Sequence, residues 1–240
     1  MTYCVGLQLD RGLVFMSDTR TNAGVDNVSS YRKTFTWEVP GERAMVLMTA
    51  GNLATTQAVV SLLDERNLHP DDRSPSLLTV PSMFQAARLV GETLSTVIGE
   101  RTNSKGGTFS ASMILGGQVA GSPPRLYLIY PEGNFIEAQA DTPFFQVGET
   151  KYGRPILVRA YDREMSFERA VKLLMVSFDS TIRANLSVGT PLDLQILEAD
   201  GLRLGYSRRI EETDADWHAI SDGWSDALRN AFDSLPDVRF

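Results

Sequence analysis

The chain is poor in the side chains that most often carry nucleophilic and metal chemistry. It holds one cysteine, Cys4, and two histidines, His69 and His218, in 240 residues. A single cysteine excludes an intrachain disulfide and fits a cytoplasmic protein. So few cysteines and histidines nearly exclude a zinc site, and nothing else in the sequence asks for a metal or cofactor. His69 lies in the turn-like stretch Asn67-Leu68-His69-Pro70-Asp71-Asp72, and His218 between Trp217 and Ala219. Both read as partly exposed structural residues, so a hydrolase built on this chain takes its general base from elsewhere. Basic charge is also scarce: 23 Lys and Arg stand against 30 Asp and Glu, a net charge of −7. That balance excludes a phosphate-binding stripe and, with it, nucleic acid as a partner. No apolar run approaches the ~18 residues of a membrane-spanning helix. The start, Met1-Thr2-Tyr3-Cys4-Val5, reaches Asp10 and Arg11 without the basic and apolar regions of a signal peptide. No P-loop, G-x-G-x-x-G or G-x-S-x-G is found.

What the chain does have is ordinary globular material, 42% hydrophobic with 19 glycines. Residues 2–9 are rich in β-formers, Asp10-Arg11-Gly12 supplies a turn, and Leu13-Val14-Phe15-Met16 opens a second strand, so a hairpin is expected. Further strands are expected over 33–38 and 44–50. Ala54, Ala58, Val59, Leu62 and Leu63 have helical spacing, as do Met83, Ala86, Ala87, Val90, Leu94 and Val97. Between these helices, residues 68–79 read as a loop. Strands follow near 109–117, 125–130 and 134–139, then helices over 151–161 and 166–184, then strands near 193–198 and 203–210. Runs of strands separated by pairs of helices do not alternate β-α. They predict an α+β fold with two mostly antiparallel sheets and helices packed outside. One domain over 1–240 is expected, with 212–240 as a C-terminal extension. In that extension Ile220, Trp224, Ala227, Leu228 and Ala231 form one helical stripe, which suits either packing on the same subunit or a contact between subunits.

The chemistry begins at Met1-Thr2. Thr2 is small enough for an aminopeptidase to remove the initiator Met, which leaves a hydroxyl and a free α-amine on one residue. An α-amine titrates at about 7.7–8.0, so near neutrality it can take the proton of its own hydroxyl. This nucleophile needs no histidine. Asp18 ends the expected hairpin in Ser17-Asp18-Thr19-Arg20, Lys33 opens the next strand, and Gly51 lies between a buried strand and a helix in Thr49-Ala50-Gly51-Asn52. A lysine beside Thr2 disfavours the protonated amine and favours an alkoxide-like oxygen. Asp18 would hold that lysine, and a glycine lets the backbone donate an N–H to an oxyanion.

This order and spacing resembles the proteasome β-subunits, of the N-terminal nucleophile hydrolase superfamily. Thr2 to Asp18 matches the family in register without a gap, Lys33 follows after a loop of nearly the family length, and the layout matches through about residue 210. The closest resemblance is to the bacterial ancestral-β-subunit, or Anbu, group. It is carried by Thr2 with no propeptide ahead of it, Val147-Gly148-Glu149-Thr150-Lys151-Tyr152-Gly153, Asn185-Leu186-Ser187-Val188-Gly189, and a long tail with Trp217 and Trp224.

The resemblance implies a four-layer αββα sandwich and a threonine-type endopeptidase with Thr2, Asp18, Lys33 and Gly51 as its catalytic set. It implies supporting parts for Arg20, Glu149, Asn185 and Ser187, and substrate contacts at Asn22 and Thr49. It also implies a self-assembled homo-oligomer that acts on peptides or unfolded proteins, with an ATP-driven partner left open. Two departures stand out. The family's Ser in its Gly-Ser-Gly segment is replaced by Gly148-Glu149-Thr150. Asn185 takes the place of an Asp, and Ser187 or Val188 that of a Ser, among the residues that normally orient the α-amine. The alternatives are therefore a shell protein of low or no activity, and an amidase or transferase with a non-peptide substrate. Ser30-Tyr31-Arg32-Lys33 has the S-x-x-K spacing of penicillin-recognising enzymes, but it is expected in a loop rather than on a helix.

Overall fold

The computed structural model describes residues 2–22, 28–68, 75–102 and 109–240. Met1 and His69 lie outside the described residues. One five-stranded sheet has the order β10 (Phe144–Gly148), β1 (Tyr3–Leu9), β2 (Gly12–Asp18), β11 (Leu192–Glu198), β12 (Tyr206–Ile210). A second has the order β5 (Thr34–Val39), β6 (Arg43–Gly51), β7 (Ala111–Val119), β8 (Arg125–Ile129), β9 (Phe135–Glu137). A short ribbon, β3 (Arg20–Asn22) with β4 (Val28–Ser30), leads out of the hairpin. The paired strands of both sheets and of the ribbon run antiparallel.

The strands alternate, yet the central ones read as nearly continuous apolar runs because both of their faces are buried. On β6, Ala44, Val46, Met48 and Ala50 face the layer between the sheets, where they meet Leu13 and Phe15 of β2 and Cys4 of β1. Met45 and Leu47 face the other way, onto α1 (Leu53–Leu68) and α2 (Met83–Thr102). Val14 and Met16 of β2 face a third layer under α3 (Arg154–Ala160), α4 (Phe167–Ala184) and α5 (Ala215–Asp233). The result is the expected αββα sandwich, with three apolar layers.

The helix ends follow from local chemistry. Ser166 caps α4 by accepting from the Arg169 N–H, Glu168 sits in the first turn and Arg183 in the last. Asp214 caps α5 by accepting from Asp216 and Trp217. Helix α3 starts at Arg154 rather than 151, with Pro155 in its first turn, where a missing N–H costs nothing. The sequence pattern did not show β3, β4 or β10. The first two are three-residue strands with no readable alternation, and β4 falls in the stretch expected to be a loop. The last strand starts at Tyr206 rather than 203, after a turn in which Asp200 and Leu202 have positive φ. No described helix is long and apolar enough to cross a membrane.

Candidate active site

Strand pairing assembles the site at one end of the sandwich. Cys4 pairs with Ser17, which leaves Tyr3 beside Asp18 at the end of the hairpin. The Tyr3 N–H donates to Asp18 Oδ1 at 2.9 Å. Across the gap between the sheets, the hydroxyls of Ser17 and Thr34 share a hydrogen bond of 2.7 Å. That bond sets side by side the residue after Ser17 and the residue before Thr34, which are Asp18 and Lys33. Lys33 Nζ donates to Asp18 Oδ1 at 2.7 Å and to the Arg20 carbonyl at 2.5 Å. Lys33 is 4% exposed and Asp18 fully buried. Burial raises the Asp18 carboxyl above its ordinary range, while the Lys33 charge and the N–H groups of Tyr3 and Gly189 pull it back.

Thr2 itself is 9% exposed and leads into β1. Its carbonyl accepts from the Glu149 N–H at 2.6 Å. Gly148 makes this approach possible. Its φ is +87°, and a Cβ there would lie 1.9 Å from the Thr2 oxygen. Glu149 in turn accepts from Asn185 Nδ2 at 3.0 Å, and Asn185 Oδ1 accepts from the Ser187 N–H at 2.9 Å. Arg20 Nη1 donates to the Leu186 carbonyl at 3.1 Å, so the loop after α4 is held from both sides. Gly51 ends β6 with φ +117°, and a Cβ there would sit 2.5 Å from the Ser110 carbonyl. Asn52 then caps α1 through the Thr55 N–H at 3.0 Å. Thr49 donates its N–H to the Lys33 carbonyl at 2.9 Å, and its own carbonyl faces the Cys4 thiol at 3.7 Å. Its side chain shares the α1 face of β6 with Met45 and Leu47.

Of the residues singled out in the sequence, Thr2, Asp18, Arg20, Lys33, Thr49, Glu149, Asn185 and Ser187 are thus joined through Tyr3, Cys4 and Leu186. Gly51 follows two residues beyond Thr49 on the same strand. Asn22 closes β3, and its side chain lies outside the described residues. Ser30 lies on β4 and donates to Thr19 Oγ1, far from the helical turn that S-x-x-K chemistry needs. Burial, reinforced by the Asp18 charge, pushes the Cys4 thiol up, so it is an inert filler. His218 is exposed on α5.

One polar cluster was not legible in the sequence. The Tyr3 hydroxyl lies 2.7 Å from Ser177 Oγ and accepts from Gln146 Nε2 at 2.7 Å. Ser177 also donates to the Gly153 carbonyl at 3.1 Å. Burial pushes the Tyr3 phenol up to about 12, against the pull of these hydrogen bonds. In the sequence Tyr3 reads only as a β-former, and its partners lie more than 140 residues away.

The family model described as proteasome subunit matches residues 2–197. The chain belongs to the proteasome subunit family. Its relatives include the proteasome subunit beta of Haloquadratum walsbyi (strain DSM 16790 / HBSQ001), 26% identical over 215 residues, covering 88% of this chain and 79% of that one. Among solved structures it is similar to Anbu (ancestral beta-subunit) from Yersinia bercovieri, at 46% identity, 99% coverage of both chains and a TM-score of 0.93. It is also similar to the helical assembly of the Anbu complex from Pseudomonas aeruginosa, at 48% identity, 99% and 98% coverage and a TM-score of 0.94. The expected likeness to the ancestral β-subunits is met across the whole length. This proteasome-family chain is of the threonine peptidase type, with the N-terminal nucleophile hydrolase fold. Thr2, Asp18, Lys33 and Gly51 all fall inside the matched span, whereas α5 lies beyond it.

Proposed function

We propose that Thr2, freed by removal of Met1, is the nucleophile of a threonine-type endopeptidase. The observation that carries this reading is the shared Asp18 Oδ1, which ties Lys33 Nζ to the peptide N–H next to Thr2. An ammonium has three N–H donors. Two are given to Asp18 and the Arg20 carbonyl, and the third is assigned to the Thr2 hydroxyl. The Thr2 amine takes the hydroxyl proton, and the oxygen attacks the substrate's carbonyl carbon. The oxyanion forms against the Gly51 N–H. As the peptide C–N bond breaks, the ammonium of Thr2 returns its proton to the leaving amine. Water then hydrolyses the acyl-ester and restores Thr2. Glu149, Asn185, Ser187 and Arg20 position the amine and its surroundings, and Asn22 contacts substrate; Thr49, expected to do so as well, is instead buried, with its N–H on the Lys33 carbonyl and its side chain on the α1 face. The enzyme works in the cytoplasm as a homo-oligomer, as the Pseudomonas complex assembles, and an ATP-driven unfoldase would supply unfolded chains.

One observation favours a second reading, a shell of low activity. Asn185 and Glu149, at positions where relatives orient the amine, are bonded to each other. A single experiment separates the two. The intact mass of the purified chain is measured with and without a threonine-directed electrophile, beside a form that retains Met1. Loss of Met1 and one adduct on the trimmed form alone support the peptidase. A trimmed chain that takes no adduct supports the shell. Full peptide turnover by the Met1-bearing form overturns the mechanism, since its Thr2 nitrogen is an amide with no basic lone pair.

A further inference from the structure

Asp18 and Lys33 belong to different sheets, and no strand pairing sets the distance between them. Asp18 ends β2, which is held in its sheet by β1 on one side and β11 on the other. Lys33 is held in the second sheet. Its carbonyl accepts from the Thr49 N–H at 2.9 Å, and the next residue, Thr34, pairs with Met48. The chain crosses from one sheet to the other just before, since the Tyr31 N–H still donates to the Thr19 carbonyl at 2.8 Å. The ion pair is therefore set only as sharply as the two sheets are set against each other at this end.

The layer between the sheets is mainly apolar, with Leu13 and Phe15 of β2 against Val46 and Met48 of β6. Such packing opposes separation of the sheets but is non-directional, so it sets a small sliding displacement less sharply than a hydrogen bond does. The 2.7 Å bond between the hydroxyls of Ser17 and Thr34 joins β2 to β5 directly. The neighbouring crossing, from the Cys4 thiol to the Thr49 carbonyl, is longer at 3.7 Å and starts from a weak donor. Ser17 is fully buried and Thr34 is 5% exposed. Two hydroxyls at this depth cost stability unless they satisfy each other, and Ala with Val would fill much the same space without that demand. What the hydroxyls add is direction.

The surroundings also show how the bond can be lost without losing the fold. Thr34 lines a cavity of about 210 Å³ together with Asp193 and Gln195. Asp193 stands opposite Ser17 in the pairing of β11 with β2. Asp193 Oδ2 and Gln195 Oε1 are buried there without a partner among the described residues. A Thr34 hydroxyl released from Ser17 therefore has other acceptors in its own cavity.

We propose that Ser17 and Thr34 are positioning residues, whose hydroxyl bond locks β2 against β5 and so holds Lys33 Nζ at 2.7 Å from Asp18 Oδ1. Each acts through its chain neighbour, Ser17 through Asp18 and Thr34 through Lys33. The effect on rate rests on the peptidase reading above, whereas the effect on the place of Lys33 does not.

The test uses the full chain, isotope-labelled at the lysine side-chain nitrogens, and three variants. Thr34→Val keeps the shape and removes one hydroxyl, Ser17→Ala removes the other, and Thr34→Ser keeps the hydroxyl. Lys33 is one of four lysines, so its signal can be assigned. A buried ammonium held by two acceptors exchanges its protons slowly with water and gives a magnetic resonance signal of its own. That signal should be present in the parent and in Thr34→Ser, and lost in Thr34→Val and Ser17→Ala. Acylation by a threonine-directed electrophile should fall roughly 10- to 100-fold in the latter two, with the peptide KM within about twofold, and Thr34→Ser should restore most of the rate. A pair that is structural only would lower the melting temperature and leave signal and rate unchanged, which overturns the proposal. Loss of the signal in Thr34→Ser overturns it too, because the hydroxyl is still there. A parent that shows the signal, loses it in Thr34→Val and never takes the electrophile supports the lock and sinks the peptidase reading instead. Should Thr34→Val fail to fold, Ser17→Ala gives the same comparison.

Discussion

Asp18 Oδ1 serves two donors at once, and the cost of removing either is calculable. Taking away Lys33 leaves a buried carboxylate without its cation, which typically costs about 3–5 kcal/mol. Replacing the whole pair with apolar residues of similar volume is often neutral. Lys33→Ala and Asp18→Asn should therefore each lower both stability and single-turnover acylation, the latter by roughly 100-fold or more. The double variant Asp18→Leu with Lys33→Met should recover much of the stability and none of the acylation. Wild-type acylation in the double variant would make the pair structural only. Asp18 and Lys33 were singled out through the family resemblance, and what the local pattern supplied was their place at the end of a hairpin and the start of the next strand, where the structure pairs them. Glu149, Asn185 and Ser187 were singled out only through family likeness, since Glu149 alone touches Thr2 and the other two are linked to it in series from a loop some 36 residues away. That Glu149 would grip Thr2 by its backbone N–H, with Gly148 making room, was not legible, because such contacts leave no side-chain pattern.

At the scale of elements, β1 is anchored by the Tyr3 phenol between β10, α3 and α4. Its titration gives a signed prediction. The unfolded chain loses the phenol proton near the ordinary value of 10.0, but the folded chain keeps it until about 12. Below pH 10 the neutral phenol is common to both states and its full contribution is present. Between pH 10 and 12 the unfolded state gives up protons that the folded state retains, so stability falls as pH rises. A two-unit shift is worth about 2–3 kcal/mol. Tyr3→Phe should flatten part of this alkaline decline, measured as the urea midpoint against pH. Tyr127 and Tyr161, also pushed up to about 12 by burial, should preserve the rest. An unchanged slope in Tyr3→Phe would remove Tyr3 from the account. The strands with clear alternation or long apolar runs were readable in advance. The ribbon β3–β4 was not, because it is set by bonds such as Ser30 to Thr19 rather than by apolar period.

The whole molecule is three apolar layers separated by two sheets, with the site at one end and α5 on the far helical face. The order of strand and helix runs was enough to give this architecture, since each sheet needs cover on its outer face. The dual nature of α5 was not readable. The stripe Ile220–Trp224–Leu228 is continuous in sequence, but only its first half meets α4. The two halves should separate by experiment. Trp217→Ala removes a side chain buried on its own subunit and should lower the melting temperature by several degrees without changing association. Phe232→Ala, at a side chain exposed on its own subunit, should leave the melting temperature unchanged. A melting temperature left unchanged by Trp217→Ala would place that half of the helix elsewhere.

The burial of Thr2 has a further consequence, one of timing. An exopeptidase must take the residues on both sides of the bond it cuts into its own cleft. In the folded chain Thr2 is 9% exposed, and its carbonyl is bonded into the sheet by Glu149. Met1 must therefore be removed while the nascent chain is still open. Under the proposed mechanism, a molecule that folds first should keep its methionine and stay silent. Activation then becomes a race between processing and folding, decided once per molecule at synthesis. Folded Met1-bearing protein should keep its initiator through long exposure to methionine aminopeptidase, while the same chain held unfolded should lose it, as intact mass reports. Rapid trimming of the folded form would mean that the race has no finish line.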